Sequence, residues 1–214
     1  AISAIYEALG ATVVKSDITN DRGIHIMKSL VAYKRWGNGE TPETVGRKGD
    51  HFVGDYYVLF ETKLREEREA WFQQQDIDPE KLTEQILKVR TTQFEAQSGL
   101  MEEIHQSLVL WEQGDAEIRA LWKTMNSWVL SGFEETYEAL GIDFNTHYFE
   151  SEIYQEGREM IQAGLDAGTF YKAENGAVMA PLTGVRPEFQ ADKALLRGDG
   201  TSVYITQDLA LAAM

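Results

Sequence analysis

The sequence predicts an α/β fold: part of a parallel sheet, interrupted by one long helical insertion and by a smaller one that contains hairpins. Three observations carry that expectation. Near the start, a helical period, a β-branched strand, a polar loop and a second helical period follow one another, which is the rhythm of a parallel sheet. From about residue 51 to 140 the pattern turns to long helical periods. Past Gly168, reversals at Asn175-Gly176 and Gly198-Asp199-Gly200 mark hairpins.

Taken in order, Ile2, Ile5, Tyr6 and Leu9 recur at helical spacing up to Gly10, a residue suited to the left-handed end of a helix. Thr12-Val13-Val14 is β-branched and reads as a buried strand, with Ser16 to Gly23 as the polar turn behind it. Ile24 to Trp36 is helical and stops at Gly37, and residues 37–50 read as a loop rich in glycine. Residues 51–75, 79–113 and 115–140 follow as three helices in series. Asp78 caps the second with Pro79 at its first position, Gly114 ends it, and Asp115 caps the third. The third carries Ile118, Leu121, Trp122, Met125, Trp128, Val129 and Phe133, a stripe wide enough to predict core packing against the sheet. Gly141 ends that helix, residues 142–149 read as a strand, and Ser151 caps a helix that closes at Gly168. Asn175-Gly176 predicts a type I′ turn between Phe170-Tyr171 and Ala177-Val178-Met179. Last come an apolar strand at Leu195-Leu196, a reversal, a second strand carrying Tyr204, and a helix opened by Asp208. The chain starts at Ala1 inside one helical pattern and stops at Met214 inside another, as a piece of a longer protein would.

Composition bounds the function classes. A chain of 214 residues can bury a sizeable core. No apolar run approaches the ~20 residues that cross a bilayer, so no membrane partner is expected. The absence of cysteine removes disulfides, thiolate nucleophiles and zinc-thiolate sites. With no basic-then-apolar leader, a cytoplasmic setting is expected. The net charge of −15 argues against a surface that grips nucleic acid broadly. Residues 1–50 nonetheless carry a net charge of +1, so a polyanion would meet Lys28, Lys34, Arg35, Arg47 and Lys48 most easily, unless these form an ordinary solvated face.

Tyr204 and Asp208 stand four residues apart. A phenol and a carboxylate at a strand-to-helix junction can converge on one cation, the carboxylate accepting a bidentate guanidinium. The plain structural alternative is a strand aromatic followed by an N-cap. Asn20-Asp21-Arg22-Gly23 reads from its residues as an ordinary turn. The four histidines are too scattered for a metal pair, and neither a Walker loop nor a Gly-x-Gly-x-x-Gly is present. Glu66-Glu67-Arg68-Glu69 reads as a solvated helix face, and Asp199 as a turn residue.

Three stretches resemble arginyl-tRNA synthetases, a class I aminoacyl-tRNA synthetase family: Tyr204-Ile-Thr-Gln-Asp208, Asn20-Asp21-Arg22-Gly23, and Gly49-Asp50-His51-Phe52-Val53-Gly54-Asp55-Tyr56-Tyr57. Phe149-Glu150-Ser151 and Asn175-Gly176-Ala177-Val178 are further landmarks, so the resemblance runs over essentially the whole chain. Many members carry Trp where this chain has Arg22. The resemblance implies a class I, Rossmann-like parallel sheet, with 1–36 and 123–155 as two parts of the nucleotide-binding fold, a helical insertion at 37–122, a hairpin-containing insertion at 156–199, and the arginine site on 200–214. It implies that Tyr204 and Asp208 contact the guanidinium of substrate arginine, and that Asn20, Asp21 and Gly23 form a loop on the nucleotide side. It implies a packing role for the Gly49 to Tyr57 stretch. The substrates implied for the complete enzyme are L-arginine, ATP with magnesium, and tRNA(Arg). The His-x-Gly-His and Lys-Met-Ser-Lys-Ser signatures would lie before Ala1 and beyond Met214, so no catalytic residue or metal site is expected within this segment, which would be inactive alone. The rival expectation is a non-catalytic acidic helical interaction module; a third is another nucleotidyl transferase on the same fold.

Overall fold

A computed structural model of the chain describes residues 2–183, 185, 189 and 191–213. Ala1 and Met214, the two ends of the helical patterns above, lie outside the described residues, as do 184, 186–188 and 190 within the 156–199 segment. In chain order the elements are α1 (Ile2–Ala8), β1 (Ser16–Thr19), α2 (Ile24–Trp36), α3 (Pro42–Val45), α4 (Gly49–Gln74), a 3-10 turn (Pro79–Lys81), α5 (Glu84–Glu95), α6 (Gly99–Gln113), α7 (Ala116–Leu140), β2 (Thr146–Phe149), α8 (Glu150–Asp166), β3 (Tyr171–Lys172), β4 (Val178–Ala180), β5 (Lys193–Leu196) and α9 (Tyr204–Leu211). They gather into two compact units, Ala1–Gly23 with Gly141–Met214, and Ile24–Leu140.

The first unit holds both sheets, and the chain is mixed α/β as expected. β1 and β2 pair in parallel, with Ser16 opposite Thr146 and Thr19 opposite Phe149, while β3, β4 and β5 form a separate antiparallel sheet. The strand expected at Thr12-Val13-Val14 is displaced to the segment read as a polar turn, and Val14 stands 68% exposed. Its partner fixes this register. Lys15 N–H donates to Asn145 Oδ1 at 2.9 Å, Asn145 N–H to the Lys15 carbonyl at 2.8 Å, and Lys15 Nζ meets Asp143 at 2.6 Å. Cross-strand partners of this kind override local β propensity. They also confine the strand expected over 142–149 to Thr146–Phe149.

Asn175-Gly176 does connect antiparallel strands, but not as a type I′ turn. Asn175 lacks the positive φ that such a turn requires at both central residues; Gly176 has it (φ 84), and its N–H donates to the Ala173 carbonyl at 2.9 Å across a longer reversal. The second strand expected before the last helix shrinks to a single bridge between Leu196 and Ser202, so Tyr204 lies on α9 and not on a strand. The core of this unit is Ile161 of α8 with Val178, Ala180 and Leu195 of the antiparallel sheet. α9 lies directly on α8: a Cβ added at Gly157 would overlap the Thr206 carbonyl oxygen.

The second unit is helical. α2 has the limits read from the sequence, and the loop expected at 37–50 contains α3, capped by Thr41, and the start of α4. The single helix expected over 79–113 is broken. Asp78 caps only the 3-10 turn, whereas Thr83 and Ser98 cap α5 and α6 by accepting from the N–H groups of Ile86 and Met101. Glu67, read as part of a solvated face, accepts from the Ser98 hydroxyl at 2.8 Å and the Gly99 N–H at 3.0 Å, and so completes the α6 cap. Gly114 (φ 83) ends α6 and Asp115 caps α7, as expected.

The α7 stripe, expected to pack against the sheet, packs on α4 within this helical unit. Trp128 meets Tyr33 and Phe52 edge to face at ring separations of 5.7 and 5.5 Å. A Cβ added at Gly49 would overlap the Trp128 carbonyl, and one at Gly132 would overlap Asp50. The Gly49 to Tyr57 stretch is therefore the contact by which α4 closes on α7. Burial pushes the Asp50 carboxyl up, but hydrogen bonds from Lys48 and the His51 backbone hold it below its ordinary value. Each of the five basic candidates has an acidic partner: Lys28 with Glu61, Lys34 with Glu117, Arg35 with Glu103, Arg47 with Asp55, and Lys48 with Asp50. Among the described residues, no helix is long and apolar enough to cross a membrane.

Candidate functional site

Both parallel strands run the same way and end together, β1 at Thr19 and β2 at Phe149. In open α/β sheets, that carboxyl edge is where ligands bind. Asn20-Asp21-Arg22 follows β1, and Glu150-Ser151 opens α8 directly behind β2. Ser151 does not cap the helix as expected. It sits inside the first turn and donates its N–H to Asp21 Oδ1 (2.8 Å) and its hydroxyl to Asp21 Oδ2 (2.5 Å). The cap thus comes from the neighbouring strand's loop, a carboxylate placed at the positive end of a helix. Burial raises the Asp21 carboxyl above its ordinary value, against the pull of both Ser151 hydrogen bonds. With both oxygens engaged, Asp21 holds α8 in register with the sheet. Gly23 closes the loop at φ 105, a conformation that only glycine adopts readily.

Glu150 is the chemically unusual residue. It is buried, and its pKa is pushed up to about 7. Burial is the main cause, the Arg22 charge opposes it, and the carboxylates of Asp21 and Asp208 add to it. With its amide nitrogen turned inward, Asn20 donates to Glu150 Oε2 at 3.2 Å and to the Arg22 carbonyl at 2.8 Å. Arg22 is 2% exposed, and its Cζ lies 4.1 Å from the centroid of the Tyr154 ring.

α9 brings the two residues singled out from the C-terminal motif. Tyr204 opens the helix and Asp208 lies one turn on, so their side chains share a face. Both are exposed, whereas Thr206, Gln207 and Ala210 are buried on the other side. The Thr206 hydroxyl donates to the Leu195 carbonyl at 2.6 Å, which ties the helix to β5. Asp208 is near enough to Glu150 to raise its pKa. The structure therefore gathers Asp208, Glu150 and Asp21 at one locality and lays Tyr204 on the same helix face as Asp208. Glu150 was legible only as part of a landmark; its signal was an acid placed directly behind a strand, at the first position of a helix.

Two carboxylates from different elements, one of them poised between charged and neutral, favour a cation that can hydrogen-bond to both. A planar guanidinium satisfies such a pair better than a point charge does. No group of three or more histidine, aspartate or glutamate side chains gathers as metal ligands among the described residues.

Residues 1–214 match the family model of tRNA synthetases class I (R), catalytic domain. An arginine–tRNA ligase of Parabacteroides distasonis is 48% identical over 213 residues, covering 100% of this chain and 33% of the relative. One from Porphyromonas gingivalis strain ATCC 33277 is 45% identical over 213 residues, again 100% of this chain and 33% of that protein. The chain thus spans about a third of the length of these relatives. Among solved structures, the arginyl-tRNA synthetase of Thermus thermophilus superposes with a TM-score of 0.55 at 21% identity, over 99% of this chain and 30% of that one, a likeness of fold. None of these relatives supports the acidic interaction module.

Proposed function

Because the chain belongs to the family of class I synthetases for arginine, as its catalytic-domain model defines it, we propose that the full-length protein is an arginine–tRNA ligase and that this segment supplies its arginine-binding carboxylates. The observation that carries the proposal is the packing of α9, which bears Asp208, directly on α8, whose first residue is the buried Glu150, with the Asp208 charge acting on that carboxyl. In this reading the substrate guanidinium lies between the two carboxylates, and the Tyr204 phenol hydrogen-bonds beside it. Asp21 fixes the first turn of α8, and with it Glu150. Asn20, Asp21 and Gly23 stand on the nucleotide side of the sheet edge. The helices between 37 and 122 are an insertion in a nucleotide-binding fold, and the antiparallel sheet within 156–199 belongs to a second one.

The complete reaction joins arginine to ATP, releases pyrophosphate, and transfers arginine to the terminal ribose of tRNA(Arg) in the cytoplasm. Magnesium accompanies the triphosphate; no residue of this segment is assigned to hold it. The residues here select. Neutral citrulline would leave a partly desolvated pair of carboxylates without a countercharge, and lysine cannot bridge them bidentately. Calorimetry on the full-length protein is expected to show arginine bound at least ~100-fold more tightly than either analogue, with most of that margin lost in Asp208→Asn. Equal affinities for arginine and citrulline would overturn the reading.

A further inference from the structure

We propose that Arg22 is a positioning residue of this site: a guanidinium supplied by the chain itself, which acts on arginine capture through Glu150 without touching the substrate. The inference rests on Glu150 being an acceptor for substrate arginine. Its geometric basis is the placement of Arg22. The side chain is buried at the carboxyl edge of the sheet, and its guanidinium lies over Tyr154, which is one turn beyond Glu150 and on the same face of α8. Asn20 ties the two together by donating to both the Glu150 carboxylate and the Arg22 carbonyl.

The groups that face Glu150 are Asn20, Asp21 and Arg22 from the loop after β1, and Asp208 from α9; Glu152 of α8 acts on Asp21 in turn. Of the charges that act on Glu150, Asp21 and Asp208 favour its neutral form, and Arg22 favours the ionised one. Glu150 already titrates at about 7 with that help. Without it the residue stays protonated through neutral pH, and a protonated carboxyl offers a guanidinium one acceptor and a donor in place of two acceptors. The same positive charge also repels the incoming guanidinium. Removing it therefore weakens capture at neutral pH but leaves it equal or stronger once Glu150 has ionised.

That crossing of pH profiles separates a charge effect from loss of support. The test uses full-length protein carrying Arg22→Lys, Arg22→Gln or Arg22→Trp, the last being the residue that many members of the family have there. In Arg22→Gln and Arg22→Trp, the acid limb of kcat/KM for arginine is expected to move up by about one pH unit. The loss should fall in KM and not in kcat, and arginine capture should be fully recovered at alkaline pH. Arg22→Lys should keep the wild-type limb. A loss that is parallel at every pH, or a loss of fold in both uncharged variants by thermal melting, would overturn the proposal. Glu150→Gln distinguishes the two levels: if it neither raises the KM for arginine nor removes the limb, the site reading itself fails. If it does both while the uncharged Arg22 variants leave the limb in place, the Arg22 proposal alone fails.

Discussion

Glu150 costs the fold stability that a glutamine would not. Its carboxyl titrates at about 7 when folded, against 4.5 as its ordinary value. Between those values the folded state binds more protons than the unfolded one, so stability falls as pH rises through that window and the penalty is complete above it. The shift corresponds to at most about 3 kcal/mol. Glu150→Gln should therefore match the wild type in urea unfolding near pH 4.5 and exceed it by ~1–3 kcal/mol at pH 8. A constant difference across that range would mean that Glu150 is not the perturbed group. Asp21, also raised by burial, is present in both proteins and cancels from the comparison. A buried acid retained at this cost is typical of binding sites.

At the level of elements, the proposed site depends on how closely α9 lies on α8. Gly157 permits that approach, because a methyl group there would overlap the Thr206 carbonyl. Gly157→Ala should push α9 away from Glu150, cost about 1–3 kcal/mol, and lower the melting temperature by several degrees. It should also raise the KM for arginine although it alters no site residue. An unchanged melting temperature together with an unchanged KM would contradict the packing described here. Helices with strong terminal chemistry were legible: α2 before Gly37, α6 before Gly114, and α7 behind Asp115. The displacement of β1 and the break at Ser98 were not, because cross-strand partners at Asp143 and Asn145 and the carboxylate of Glu67 decided them from far along the chain. The place of Tyr204 was misread for a related reason. The strand expected to carry it has a single bridge, and Thr206 anchors a helix there instead.

For the whole molecule, the net charge of −15 and the acidic partners of Lys28, Lys34, Arg35, Arg47 and Lys48 leave little uncompensated positive surface in that stretch, and the proposed site lies instead at one sheet edge. The family resemblance of the C-terminal motif, and not its local pattern, pointed to one half of the proposed site, Tyr204 and Asp208. The other half, Glu150 with Asn20, Asp21 and Arg22, is assembled by parallel pairing across 130 residues, which spacing alone does not reveal. The central claim is that arginine binds against an ionised Glu150. Titration calorimetry of the full-length protein with arginine at pH 6.5, in buffers of different ionisation enthalpy, tests it most directly. Binding should release roughly 0.7 of a proton in the wild type and close to none in Glu150→Gln. Binding with no proton release in the wild type, or the same release in the variant, would contradict it.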